Sequence, residues 1–145
     1  MKKTSDSENP LTDHLGYHLR VAQDAAAESL KRNSESFRVG RLAILTMIRS
    51  NPGLNQTQLS TLTKREKSTI TPALVQLERE GLIERERKDQ RTYGVYLTQA
   101  GAEMTDKLVS EALIHDQKVV SVIGADSKAQ LIQLLLRLTE AYKKI

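Results

Sequence analysis

The chain has 145 residues, with 22 Lys and Arg against 18 Asp and Glu and a formal charge of +4. That length suits one domain with a real core, or a protomer that shares its core with a partner, and the positive balance permits a polyanionic partner. Cysteine is absent, which excludes disulfides, thiolate metal sites, thiol nucleophiles and cysteine redox sensing. No segment approaches the roughly 18 apolar residues of a membrane span and no apolar run follows the first lysines, so a cytoplasmic protein without a membrane partner is expected.

Residues 1–10 are polar and read as a flexible arm. From there Leu11, Leu15, Leu19, Ala22, Ala26 and Leu30 recur at helical spacing, which predicts a long first helix ending near Lys31 to Ser36. Val39, Leu42, Leu45 and Ile48 mark a second helix, stopped by "SNPG", where Pro and Gly forbid continuation. Asn55-x-x-Gln58 is a capping-box signature for a short third helix carrying Leu59 and Leu62. Lys67 to Glu80 forms a fourth, with Ile70, Ala73, Leu74 and Leu77 on one face and Gly81 as its C-terminal stop. Pro72 falls inside this helix and removes one amide bond.

The stretch "IERERKDQRTYGVYL" follows. Ile83, Arg85 and Arg87, then Tyr93, Val95 and Leu97, keep a period of two around a polar turn at Lys88 to Thr92, which predicts a β-hairpin. An isolated hairpin is marginal in water, so this one must lean on the helices, with Tyr93, Val95 and Leu97 as its anchor. A fifth helix runs from "LTQAGAE" to about His115 or beyond, and a sixth from about Ser127 to Lys144. The sixth contains "QLIQLLLRL": Leu131, Leu135, Leu138 and Tyr142 form one apolar stripe, Ile132 and Leu136 another, more than a monomer's surface helix carries.

The fold class read from this order is mostly α with a small β-hairpin wing, a winged helix-turn-helix that dimerises through its N- and C-terminal helices. The expected parts are the arm at 1–10, a helical dimerisation region at 11–36 and 99–145, and a winged DNA-binding region at 37–98. Such a fold offers one helix to a DNA major groove and the wing to the neighbouring backbone or minor groove.

Over nearly its whole length the chain resembles the MarR family of transcriptional regulators. The specific part is "STITPALVQLEREGLIERERKDQRTYGVYLTQAG", which is similar to the family's reading helix, Gly-Leu-Ile lead into the first strand, Asp-x-Arg wing and Leu-Thr-x-x-Gly exit. The resemblance implies a homodimer on a palindromic double-stranded operator, with Ser68, Thr69, Thr71 and Gln76 as candidates for phosphate or base-edge contacts and Lys64, Arg65 and Lys67 as phosphate anchors. At the wing, Arg87, Lys88 and Arg91 would meet phosphates or a narrow minor groove, and Asp89 would hold the Arg91 guanidinium through charge-assisted hydrogen bonds. Where the family often has a Gly and an apolar residue in the turn before the reading helix, this chain has "TKREKS".

"HLGYHLRVAQ" resembles the first-helix segment of members that sense aromatic acids or their coenzyme A thioesters. His14, His18 and Arg20, with Arg38 and Arg41, would then receive a small-molecule effector; a solvated helix face is the plain alternative for the same residues. His14 and His18 stand one turn apart, but few other ligands are available to complete a metal site, and no metal or cofactor is expected. No Ser/His/Asp set, phosphate loop or carboxylate pair accompanies them, so no enzyme is expected. The expected function is a repressor released from DNA by an aromatic acid or acyl-CoA; the alternative is a winged-helix protein-interaction module.

Overall fold

The computed structural model describes residues 9–33 and 40–145, in two compact units, Met1–Val39 and Gly40–Ile145.

In the first unit Asn9 opens a turn, its Oδ1 accepting from the Leu11 amide at 2.9 Å and its carbonyl from the Thr12 amide at 3.2 Å. Helix α1, Leu15–Asn33, therefore starts a turn later than the apolar spacing from Leu11 suggested. Arg38 and Val39 lie outside the described residues.

The second unit carries the core. Helix α2, Arg41–Ser50, ends before Pro52, and Gly53 turns the chain with φ of 87°. Gly53 then donates to the Val95 carbonyl and Leu54 accepts from the Val95 amide, both at 2.9 Å. This one-residue bridge lies against the hairpin's second strand as a third, one-residue strand; a single residue has no periodicity to betray it. Helix α3, Gln56–Thr63, begins at the expected capping box, with Asn55 and Gln58 each bonding the other's backbone amide.

Helix α4, Lys67–Arg79, continues through Pro72. Gly81, with φ of 72°, lets the Leu82 amide reach back to the Leu77 carbonyl at 2.9 Å, the left-handed stop that glycine permits. Strands β1, Ile83–Arg87, and β2, Tyr93–Leu97, pair antiparallel with Ile83 opposite Leu97, Arg85 opposite Val95 and Arg87 opposite Tyr93. The expected hairpin and its turn at Lys88 to Thr92 are thus present. Ile83 and Val95 are buried, whereas Tyr93 is 48% exposed and anchors little.

Helix α5, Gln99–Ile123, is capped by Thr98, whose hydroxyl donates to the Gly81 carbonyl at 2.6 Å and accepts from the Gly101 amide at 3.0 Å. Side chain and backbone here pass too closely for any residue larger than glycine: a Cβ on Gly101 would run into the Leu82 carbonyl. The Leu-Thr-x-x-Gly exit is therefore a weld between the end of α4, the start of the wing and α5. Gly124 breaks the chain into α6, Ala125–Tyr142, bent 106° from α5 and braced by the Lys128–Asp116 ion pair. Ile44, Leu45 and Ile48 of α2, Leu59 of α3, Ile70, Leu74 and Leu77 of α4, and Leu108 of α5 close into one core with Leu82, Ile83 and Val95. Each such side chain contributes about 1.5–3 kcal/mol by leaving water. No residue of α6 is buried: Leu131, Ile132, Leu134, Leu135, Leu136 and Tyr142 all stand exposed.

Candidate nucleic-acid interface

With Ile70, Leu74 and Leu77 buried, the 3.6-residue period puts Ser68, Pro72, Val75 and Arg79 on the opposite face of α4, and all four are exposed. Of this row only Ser68 was singled out from sequence. The i, i+4, i+7, i+11 spacing was visible, but Pro and Val do not announce themselves as DNA contacts. The other expected readers sit on the flanks. Thr69 is exposed. Thr71 donates to the Lys67 carbonyl at 2.8 Å and accepts from the Gln56 side chain, so its hydroxyl ties α4 to α3. Gln76 donates to Glu80 at 2.8 Å.

Glu80 is the centre of a small network. Both of its carboxylate oxygens lie 2.7 Å from one terminal nitrogen of Arg41. Arg41 is 8% exposed, so this residue, expected at an effector site, has its charge engaged in locking the start of α2 to the end of α4. A buried guanidinium needs such a partner because an unpaired charge away from water is costly. Its neighbour Gly40, with φ of 84°, lies under the Arg65 side chain, whose Nε would be 3.3 Å from a Cβ at that position. Arg65 is partly buried there, leaving Lys64 and Lys67 as the more exposed cations of the turn. Lys64 supplies the bend that glycine often gives the family: it adopts φ of 55°, the sole non-glycine left-handed residue among those described.

At the wing, Arg87 donates from Nε to the Asp89 carbonyl at 3.2 Å and from a terminal nitrogen to the Gln90 carbonyl at 3.1 Å. Asp89 accepts from the backbone amides of Arg91 and Thr92, each at 2.8 Å. The expectation that Asp89 grips the Arg91 guanidinium is corrected: it holds Arg91 by the backbone, in the local turn a short carboxylate forms most readily. Those amides also hold the Asp89 carboxyl below the ordinary aspartate range, the Arg91 amide foremost. Lys88 lies back along the hairpin, where a Cβ on Gly94 would meet its Cε at 2.6 Å and one on Gly53 its Nζ at 3.0 Å. Of the wing cations, Arg91 is thus the one that neither caps the tip nor folds over it. Arg85 pairs with Glu78 at 3.1 Å and fixes the wing to α4. A cavity of about 230 Å³ separates the first turn of α3 from the wing, rimmed by Asn55, Gln56, Arg85 and Arg91.

On α1, His18 Nε2 lies 2.6 Å from the Thr12 carbonyl, and its ring meets Tyr17 edge-on at 5.3 Å. Arg20 lies 5.7 Å over the Tyr17 ring and pairs with Asp24 at 2.9 Å. His14 is exposed one turn before His18. Arg38 lies outside the described residues.

A helix, a tight turn, a second helix with an exposed row, and a hairpin braced against it define a winged helix-turn-helix. Comparison with known proteins is specific. The sequence pattern of the MarR family matches residues 39–93. A protein assigned as the transcriptional regulatory protein for the hcr operon of Thauera aromatica is 31% identical over 133 residues, covering 88% of this chain and 80% of that one. The PcaV transcriptional regulator of Streptomyces coelicolor, solved with its natural ligand, is 26% identical with a TM-score of 0.83, covering 92% of this chain and 97% of PcaV. The repressor CouR, solved on a 23-mer DNA duplex, shares the fold with a TM-score of 0.83 at 24% identity over 96% of this chain and 99% of its own. The chain belongs to the MarR family, whose members named here are transcriptional regulators and not enzymes.

Proposed function

We propose that the chain is a homodimeric repressor whose hold on DNA is released by a small aromatic carboxylate or its coenzyme A thioester. Residues 37–98 form the DNA-binding part; residues 11–36 and 99–145 join two copies. In this reading α4 enters a major groove and Arg91 the neighbouring minor groove, so that a two-fold dimer meets successive turns of a palindromic operator.

The wing tip carries the reading. Four hydrogen bonds from Arg87 and to Asp89 organise a loop that has no core beneath it, and the outcome is an arginine held by its backbone with its side chain exposed. Preorganisation of that kind lowers the ordering cost of binding. Dimerisation is supported by the exposed apolar face of α6, which is larger than a soluble monomer's surface usually carries. An effector is supported by Tyr17, His18 and Arg20 at the start of α1, with His14 just before it, which set the Arg20 guanidinium and an imidazole beside an aromatic ring, and by the ligand-bound relative. A ligand there lowers DNA affinity only if it binds the DNA-incompetent dimer more tightly, and DNA must weaken ligand binding by the same factor.

The test is to select bound duplexes from a random pool and measure affinity against salt. Steep weakening with salt is expected for phosphate neutralisation; absence of duplex binding would favour a protein-interaction module. Aromatic acids and their coenzyme A thioesters are then titrated against the bound complex of wild type, His18→Ala and Arg20→Ala. Equal release in all three would remove these residues from the effector site.

A further inference from the structure

We propose that Val75, with Pro72 beside it, is a specificity-determining residue that reads the 5-methyl group of thymine. The assignment rests on the reading of α4 as the helix that enters the major groove. Val75 lies in the middle of the outward row Ser68, Pro72, Val75 and Arg79 and is 43% exposed, on a helix whose other exposed positions outside this pair are polar or charged. A β-branched residue gains little in an exposed helix position, since its rotamers are restricted and its surface stays wet.

Chemistry narrows what this centre can recognise. Val75 has no polar side-chain atom, and Pro72 lacks even a backbone N–H, so neither can bond the donors and acceptors of a base edge. They can desolvate an apolar group, and thymine is the base that presents one in the major groove. Two of the polar neighbours are already engaged, the Thr71 hydroxyl with the Lys67 carbonyl and Gln56 and the Gln76 amide with Glu80, which leaves Ser68 and Thr69, both in the first turn, as the remaining hydroxyls beside this apolar centre. Arg79 at one end of the row and Lys67 at the start of the helix supply cations for phosphates, which position a helix without reading sequence. An apolar centre between two cationic ends fits a thymine flanked by backbone.

The experiment uses the full chain and a duplex selected by it. Each thymine of that duplex is replaced singly by deoxyuridine, which removes the methyl and leaves the base pair. Wild type should lose roughly fourfold in affinity at one or two thymines of each half-site, the value of one buried methyl. Val75→Ala should bind the parent duplex more weakly by a similar factor and be indifferent to deoxyuridine at those same positions. Arg79→Ala should weaken all duplexes alike and leave the deoxyuridine cost intact. The assignment is overturned if no replacement weakens wild type, or if the loss persists undiminished in Val75→Ala. A pool that yields no enriched duplex overturns it together with the DNA-reading role of α4, whereas a selected duplex without a methyl effect overturns the assignment alone. Circular dichroism of Val75→Ala should match wild type, since Val75 is 43% exposed and alanine is the better helix former.

Discussion

Arg41, the first residue of α2, holds both carboxylate oxygens of Glu80, one residue past α4, at 2.7 Å. The two partners are unequal: Arg41 is 8% exposed and Glu80 28%. Removing Glu80 strands a buried cation, while removing Arg41 leaves a carboxylate that water can reach. Glu80→Ala should therefore cost about 3 kcal/mol, the lower end of the range for breaking a buried pair, and Arg41→Met, which keeps the stem's volume, only about 1 kcal/mol. Urea midpoints of the two variants measure this, and equal costs would refute the asymmetry. Glu80→Ala also frees Gln76, so a changed base preference in duplex selection is expected alongside the stability loss.

The wing arginines should separate by salt. Arg91→Ala should weaken operator binding by about 1–3 kcal/mol and lower the salt slope by about one phosphate contact. Arg87→Ala should weaken binding by loosening the tip while leaving the slope nearly unchanged, because its guanidinium is bonded to the Asp89 and Gln90 carbonyls. Affinities at several salt concentrations decide; an Arg87 slope change as large as that of Arg91 would make both of them phosphate contacts.

Acid should undo the tip from Asp89. Its folded pKa is depressed, so the interaction is fully present above the ordinary aspartate value and is lost as pH falls through the lower folded value. Amide resonances of Arg91 and Thr92 should titrate together with a midpoint below that of free aspartate, and Asp89→Asn should abolish the titration. A midpoint at or above the free value would contradict the bonding described.

Lys64 pairs a conformational cost with a charge. A left-handed non-glycine residue costs about 1–2 kcal/mol, and glycine returns part of the gain through its flexible unfolded state, so Lys64→Gly should stabilise the fold by about 0.5–1 kcal/mol. The same variant should bind the operator more weakly at low salt. Thermal unfolding and DNA titration of one sample test both signs.

Gly101→Ala should be among the most damaging single-methyl changes, because the added carbon meets the Leu82 carbonyl, which is backbone and cannot swing aside. A loss of about 3 kcal/mol is expected from overpacking of this kind. Ala100→Gly next to it, on the exposed side of the first turn, should cost less than half as much.

Elements were legible where the determinant was local. The capping box at Asn55 and Gln58, the stop at Gly81, the period-two strands from Ile83 to Leu97 and the break at "SNPG" each act within a few residues, and each stands where the spacing put it. Helix ends were less exact: α1 begins at Leu15 because Asn9 closes a turn first, and α5 runs on to Ile123 because no stop intervenes before Gly124. The list of charged candidates was readable as well, since residue type alone names a cation.

What each cation does was decided by the tertiary structure. Arg41 has its partner 39 residues away, so nothing near it in the chain marked it as a lock on α4. Asp89 and Arg87 were both assigned to the wing tip, but only folding showed that they bond its backbone while Arg91 projects. The bridge between Gly53, Leu54 and Val95 and the collision that reserves Gly101 depend on segments meeting in space. Periodicity fixes which face of an element is apolar because that is a property of a helix or strand alone; which polar group meets which is a property of two elements, and exists only after the core has brought them together.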